Sequence, residues 1–231
     1  MQTEWLFATV AAALISYSNI KILNMHPNPI FRNPPTDKNI EFARQRSFGI
    51  VSINAENGPL MSHIPFQLSE DGKYLEAHLV RSNPIVRLLK QPIPAAIAVS
   101  GGDAYISPDW YGVDQQVPTW NYVAVHIRGS LRLLDQQELH GVLERLSASM
   151  EQRLMPKAPW KIDKIDVDIY EKMQRQIVPI AMDIEDIQGT WKLSQNKPDK
   201  VRKGAISGVE NARLGTGIDE IVKLMGLVEG D

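Results

Sequence analysis

Between Phe48 and Val80, three apolar runs alternate with turn chemistry: FGIVSIN (48–54), a turn at Glu56-Asn57-Gly58, PLMSHIPFQL (59–68), a turn at Ser69-Glu70-Asp71-Gly72-Lys73, and YLEAHLV (74–80). Asn-Gly and Asp-Gly between alternating runs are strong hairpin signals, so this stretch predicts an antiparallel meander. PAAIAVSGG (94–102) returns to strand, and AYISPDWYG then leads into a loop. VPTWNYVAVHIRG (117–129) opens a long strand to about Leu134. Val123, Val125 and Ile127 fall on one face, with Tyr122, Ala124, His126 and Arg128 on the other. IVPIAMDIEDI (177–187) is a further strand, followed by TWKLSQN (190–196).

Helical periodicity is confined to a few places. Thr36 or Asp37 caps a short helix through Ile40, Phe42, Ala43 and Arg46, after MHPNPIFRNPP, which holds four prolines in eleven residues and cannot be helix. Asn83-Pro84 opens another helix, NPIVRLLKQ. Gln136–Leu154 carries Leu139, Val142, Leu143, Leu146 and Met150 at helical spacing. MPKAPW (155–160) reads as a break or linker, a helix with Ile169 and Met173 follows, and Pro198–Val209 is helical. Strands first, one inserted helix and later helices predict a mainly β, α+β protein: a single antiparallel barrel with appended helices. A doubly wound fold would need regular strand–helix alternation. The expected organisation is an N-terminal extension over 1–24, a main domain over 25–210 and a C-terminal helical tail over 211–231.

Composition narrows the function classes. The 231 residues are 43% hydrophobic and 23% charged with a net charge of −2, ordinary for a globular chain and unlike a generally basic nucleic-acid surface. With no cysteine there is no disulfide, thiolate nucleophile or cysteine metal site, which fits a reducing cytoplasm. Trp5–Ile20 carries no charge, but sixteen residues fall short of the ~20 that cross a bilayer. The preceding MQTE is acidic where a secretory signal is basic. An added helix, or sequence upstream of a start at Met25, are the two readings of this segment; no membrane association is expected.

Candidate chemistry is sparse. His63, His78 and His126 are all mid-strand, and no two share the spacing of a metal pair, so histidines bonded within a sheet or facing a pocket are expected, and no metal. Neither common nucleotide loop is present. Arg81-Ser82-Asn83-Pro84 sits at a strand–helix junction, where free N–H groups and the dipole suit an anion; plain helix capping is the simpler reading. No G-x-S-x-G supports nucleophilic catalysis. KPDKVRKG (197–204) is the one basic cluster, expected to be a solvated helix face rather than a DNA-reading element.

Five segments taken together carry a resemblance: MHPNPIFR (25–32), SHIPF (62–66), HLVRSNP (78–84), AYISPDWYG with VPTWNYVAVHIRG (104–129), and KLSQNKPDKVRKG (192–204). In order and spacing they resemble the PaiB family, FMN-binding split-barrel proteins described as negative transcriptional regulators and similar to the pyridoxamine-phosphate-oxidase barrels. Pro179 and Thr190 depart from the usual pattern of the last strand. The resemblance implies a six-stranded antiparallel split barrel that dimerises, with FMN in a groove at the interface. It implies that Ser62, His63, Ile64 and Pro65 line the flavin ring, with His78 nearby. Arg81, Ser82 and Asn83 would hold the phosphate, which reverses the preference for capping alone. Trp120, Asn121 and Tyr122 would sit by the flavin, and Ser194, Gln195 and Asn196 would form a second polar loop.

Three functions follow from that resemblance: a regulatory FMN-binding homodimer, a flavin-dependent oxidoreductase in which the cofactor carries the hydride, or a flavin-binding protein without turnover. DNA as a partner is unsupported by charge or motif. His63 and Tyr122 are the first candidates for acid–base roles.

Overall fold

The computed structural model describes residues 25–32 and 34–228; the expected N-terminal extension therefore lies outside the described residues. Six strands make the body: β1 (Phe48–Ile53), β2 (Leu60–Leu68), β3 (Tyr74–Val80), β4 (Ile93–Ile106), β5 (Thr119–Leu133) and β6 (Ile177–Lys192). They pair antiparallel in the order β1-β2-β3-β6-β5-β4, and β4 returns to β1 through Ile50↔Ala98 and Ile53↔Ala95, closing the barrel. The expected meander and turns hold: Gly58 and Gly72 take the positive φ that their turns demand. Two strands run longer than the sequence pattern suggests. β4 continues to Ile106 through a bulge between Ser100 and Asp103, and β6 takes in IVPIAMDIEDI and TWK as one strand.

Alternation fills the interior with Val51, Ile64, Phe66, Ile97, Val125 and Ile127, all buried. A barrel of six strands has room inside for side chains only, so a ligand of any size must bind outside it. Helix α1 (Thr36–Arg46) closes one end with Phe42, whose ring stands edge-on to Trp191 and lies over Gly101 and Val123. Close approach of α1 to β6 depends on Gly189, where a Cβ would sit 2.0 Å from Asn39 Oδ1; that oxygen accepts from the Trp191 indole at 2.8 Å. The short helix α2 (Pro84–Leu88), with Leu89 just after it, closes the other end through Ile85 and Leu89. Helix α3 (Leu139–Gln152) crosses the outside of β2 and β3, held by a bidentate Arg145–Glu76 pair at 2.6 and 2.8 Å. Helix α4 (Val167–Gln174) follows; the 155–160 stretch before it is tied down by the Trp160 N–H donating to Glu151.

Beyond the barrel, the β4–β5 hairpin carries α5 (Asp199–Ala212), the two-residue strand β7 (Gly215–Thr216) and α6 (Ile218–Gly226). The stretch from residue 211, read from sequence as a tail, is integrated: Ile218, Ile221 and Met225 join the same core. The basic segment is integrated too. Arg202 is 1% exposed and donates to Lys197 O, Asp199 Oδ1 and Val228 O. Trp110 packs on Gly204 and Gly208, where any Cβ would collide with it. The solvated-face expectation thus holds for Lys200 and Lys203 and fails for Arg202, whose charge is buried against carbonyls and a carboxylate.

Candidate functional site

On the outer face of the barrel, one cross-strand row runs His63 (β2), Ile50 (β1), Ala98 (β4), His126 (β5) and Gln188 (β6). The neighbouring positions Ser100 and Ala124, paired with each other, are equally small. Small side chains on adjacent strands leave a shelf, and a cleft of about 460 Å3 opens there, lined by Arg46, Phe48, Ile50, His63, Ala98 and Ser100. Phe48 stacks on His63 with ring centroids 6.2 Å apart and 27° between planes. The volume lies within the range of small-molecule and cofactor pockets, roughly 300–1,000 Å3.

The β6 side of this face is bounded by the segment MHPNPIFR. The Met25 backbone N donates to Gln188 Oε1 at 2.9 Å, and the 3₁₀ turn Pro29–Phe31 lies along β6. Gln195 fastens it: its Nε2 donates to Ile30 O and Trp191 O, while its Oε1 accepts from Leu193 N. His126 is half-buried; burial first, and the nearby Arg128 charge second, push its pKa below the ordinary histidine value. His63 and His126 stand three strand spacings apart, roughly 14 Å, and do not converge.

The residues expected at the site divide by strand alternation. His63 and Pro65 point outward on β2, whereas Ser62 and Ile64 turn inward, Ile64 into the core. Trp120 is 46% exposed on the outer face, edge-on to Tyr105, and Tyr122 is half-buried on that same face. Asn121 is fully buried on the opposite face: its Nδ2 donates to Ser194 Oγ at 2.8 Å, and the Tyr111 hydroxyl shares that oxygen at 3.2 Å. Ser194, at φ 60°, and Asn121 therefore brace the interior joint between hairpin and α6, while Asn196 is exposed. His78 lies outside β3, half-buried, and desolvation lowers its pKa.

The Arg81-Ser82-Asn83 junction takes the capping geometry. Asn83 Oδ1 accepts from Ile85 N and its Nδ2 donates to Ser62 Oγ, so both amide atoms are engaged. Arg81 donates from Nε to Arg175 O, and from one terminal nitrogen to Ile177 O and Gln136 Oε1, tying down the turn before β6. Ser82 is exposed. Of the three side chains expected to hold a phosphate, Arg81 and Asn83 thus bond protein groups, Asn83 capping α2 and Arg81 anchoring the turn before β6, while Ser82 faces solvent.

Sequence reasoning missed Gln45, Arg46, Phe48, Ala98 and Ser100 at the cleft, and Arg32 and Lys192 at its β6 border. The signal available was the run of small residues in AAIAVSGG, whose outward members leave the shelf open. The set fits a planar amphipathic group such as a flavin ring: an apolar floor of Ile50, Ala98 and Phe48 with donors and acceptors from His63, Ser100 and Gln45 at the edge.

Comparison with known proteins bears on the fold and the cofactor class. Residues 25–186 match the family described as "Putative FMN-binding domain". The chain is 31% identical over 172 residues to the protease synthase and sporulation protein PAI 2 of Bacillus subtilis, covering 74% of this chain and 82% of that one. It is 28% identical over 217 residues to an uncharacterized Emericella nidulans protein, covering 76% and 86%. Among solved structures, the FAD and heme binding protein of Mycobacterium smegmatis superposes with a TM-score of 0.51 at 15% identity, over 70% of this chain and 73% of that one, which shows the fold. The chain belongs to the PaiB family of FMN-binding split-barrel proteins.

Proposed function

We propose that the protein is an FMN-binding homodimer of PaiB type that acts in the cytoplasm as a negative regulator of transcription. The observation that carries the flavin part is the shelf: a filled six-stranded barrel with an open, small-residue cleft of about 460 Å3 on its outer face. In the bound protein, Ile50, Ala98 and Phe48 would support the ring, with His63, Ser100 and Gln45 fixing its edge. The flavin would supply redox chemistry or a redox-sensitive shape; these residues bind and orient it.

Two features support a dimer. Phe48 and Met61, 53% and 62% exposed, lie beside the half-open cleft, and a second copy related by twofold symmetry would cover both. The relative named for protease synthesis and sporulation supports the regulatory part. With Arg202 buried and Asp199 paired to both Arg202 and Lys203, α5 offers little to a phosphate backbone, so a protein partner is the favoured route to the promoter. The alternative is a flavin-dependent oxidoreductase, favoured by the neutral, half-buried His126 on the same face.

The test is a flavin titration of the purified protein. Saturable binding with a perturbed visible spectrum is expected, and no binding of FMN, FAD or riboflavin at high concentration would sink the reading. Reduction of bound flavin by NAD(P)H with turnover of an acceptor would select the oxidoreductase. A promoter shift that needs a second protein would select the regulator.

A further inference from the structure

Three of the five segments that resemble the PaiB family meet at one border of the outer face: 25–32, 104–122 and 192–197 converge where β5 begins and β6 ends. This border is unusually cationic. Lys192 pairs across the sheet with Tyr122, lies 5.7 Å from the Phe31 ring, and donates to Thr119 Oγ1. Lys197 lies 5.2 Å from the Tyr111 ring and donates to Gln116 Oε1. Arg32, next along the chain from Phe31, has its Nε buried without a hydrogen-bond partner among the described residues.

None of these three cations forms an ion pair among the described residues. Burial pushes the Lys192 ammonium below its ordinary pKa, the effect of partial desolvation that a carboxylate would normally offset. By contrast Arg81, the residue first expected to meet a phosphate, is already bonded to two backbone carbonyls and Gln136. A buried guanidinium N–H is costly to leave unpaired, and a half-buried lysine without a counter-charge attracts an anion. Ser100 in the cleft pairs through Ala124 with Thr190, two residues before Lys192 on β6; two strand spacings and two residues of rise put Lys192 about 12 Å from Ser100, so one elongated ligand can reach both.

We infer that Arg32 and Lys192, with Lys197 behind them, form a phosphate-binding site at the β6 border of the face, in place of Arg81-Ser82-Asn83. The phosphate is either the flavin's own or that of a second molecule; the first case rests on the flavin reading above.

FMN and riboflavin are titrated separately by flavin fluorescence into the full chain, wild type and the variants Lys192→Met, Arg32→Met and Arg81→Met. Lys192→Met and Arg32→Met are expected to weaken FMN at least tenfold and riboflavin less than threefold. Arg81→Met should keep the wild-type ratio. In a second arm without flavin, inorganic phosphate is added to wild type, and acetylation of each lysine by acetic anhydride is read by mass spectrometry. Phosphate should protect Lys192 severalfold more than Lys90 or Lys223, a measurement that needs no variant to fold. Protection of Lys192 without FMN–riboflavin selectivity assigns the site to another phosphate-bearing molecule. Protection when neither flavin binds removes the flavin reading and leaves this one standing. Unselective flavin loss with no protection of Lys192, or a selective loss confined to Arg81→Met, overturns the site.

Discussion

Gly189 shows how much one residue can hold. Its missing side chain lets Asn39 come close enough to accept from the Trp191 indole, which seats α1 over the barrel end. Gly189→Ala puts a methyl group 2.0 Å from Asn39 Oδ1, and neither partner can move without breaking a buried bond. A loss of about 2–4 kcal/mol is expected from overpacking together with a stranded indole N–H, measurable as a lower urea midpoint at unchanged m. His78 and His126 act through pH. Burial lowers both pKa values in the folded state, while the unfolded chain titrates near 6.5. As pH falls through 6.5 the unfolded state takes up protons that the native state refuses. Stability is therefore full above about 6.5 and declines below it. Urea midpoints at pH 7.5 and 5.5 should differ in that direction, and His126→Gln should shrink the difference; an unchanged difference would assign the acid sensitivity elsewhere.

At the scale of elements, α5 separates what charge suggests from what packing uses. Its sequence looks basic, yet one cation is structural: Arg202 joins α5 to the chain after α6 through Val228 O. Arg202→Met leaves two carbonyls and Asp199 without that donor, and about 2–4 kcal/mol should be lost. Lys200→Glu with Lys203→Glu, on the exposed side, should change stability by less than about 1 kcal/mol. Equal effects in urea unfolding would refute the division. The same contrast shows what sequence could reveal. Turn residues and alternation disclosed the strands, because those signals are local. The inward turn of Asn121 was legible too, since alternation separates it from Trp120 and Tyr122 wherever the strand starts. The engagement of Arg81 with Arg175 O, some ninety residues away, was not, because nothing local encodes a partner that distant. Nor could periodicity show that Lys192 and Arg32 share a border, which depends on Gln195 holding the 25–32 segment against β6.

For the whole molecule, the barrel's closure decides where function can sit. A filled interior excludes the ligand, and both ends are plugged, by α1 and by α2, so the outer face is what remains. On the proposed dimer reading that face is half of a site: the cleft is open, and Phe48 and Met61 beside it are 53% and 62% exposed. In an isologous dimer each copy would bury the other's Phe48 and Met61 and close the other's cleft, so dimerisation and flavin affinity should be linked. Because Met61 is 62% exposed and does not line the cleft, Met61→Asp should leave the monomer's fold, its far-UV spectrum and its own cleft intact. The substituted protein should elute as a monomer by light scattering, and FMN affinity should fall at least tenfold. Adding FMN to wild type should tighten the dimer by the same factor, since coupling is reciprocal. A wild-type chain that stays monomeric at saturating FMN, or a monomeric variant that binds FMN as tightly as wild type, would show that one copy builds the site alone.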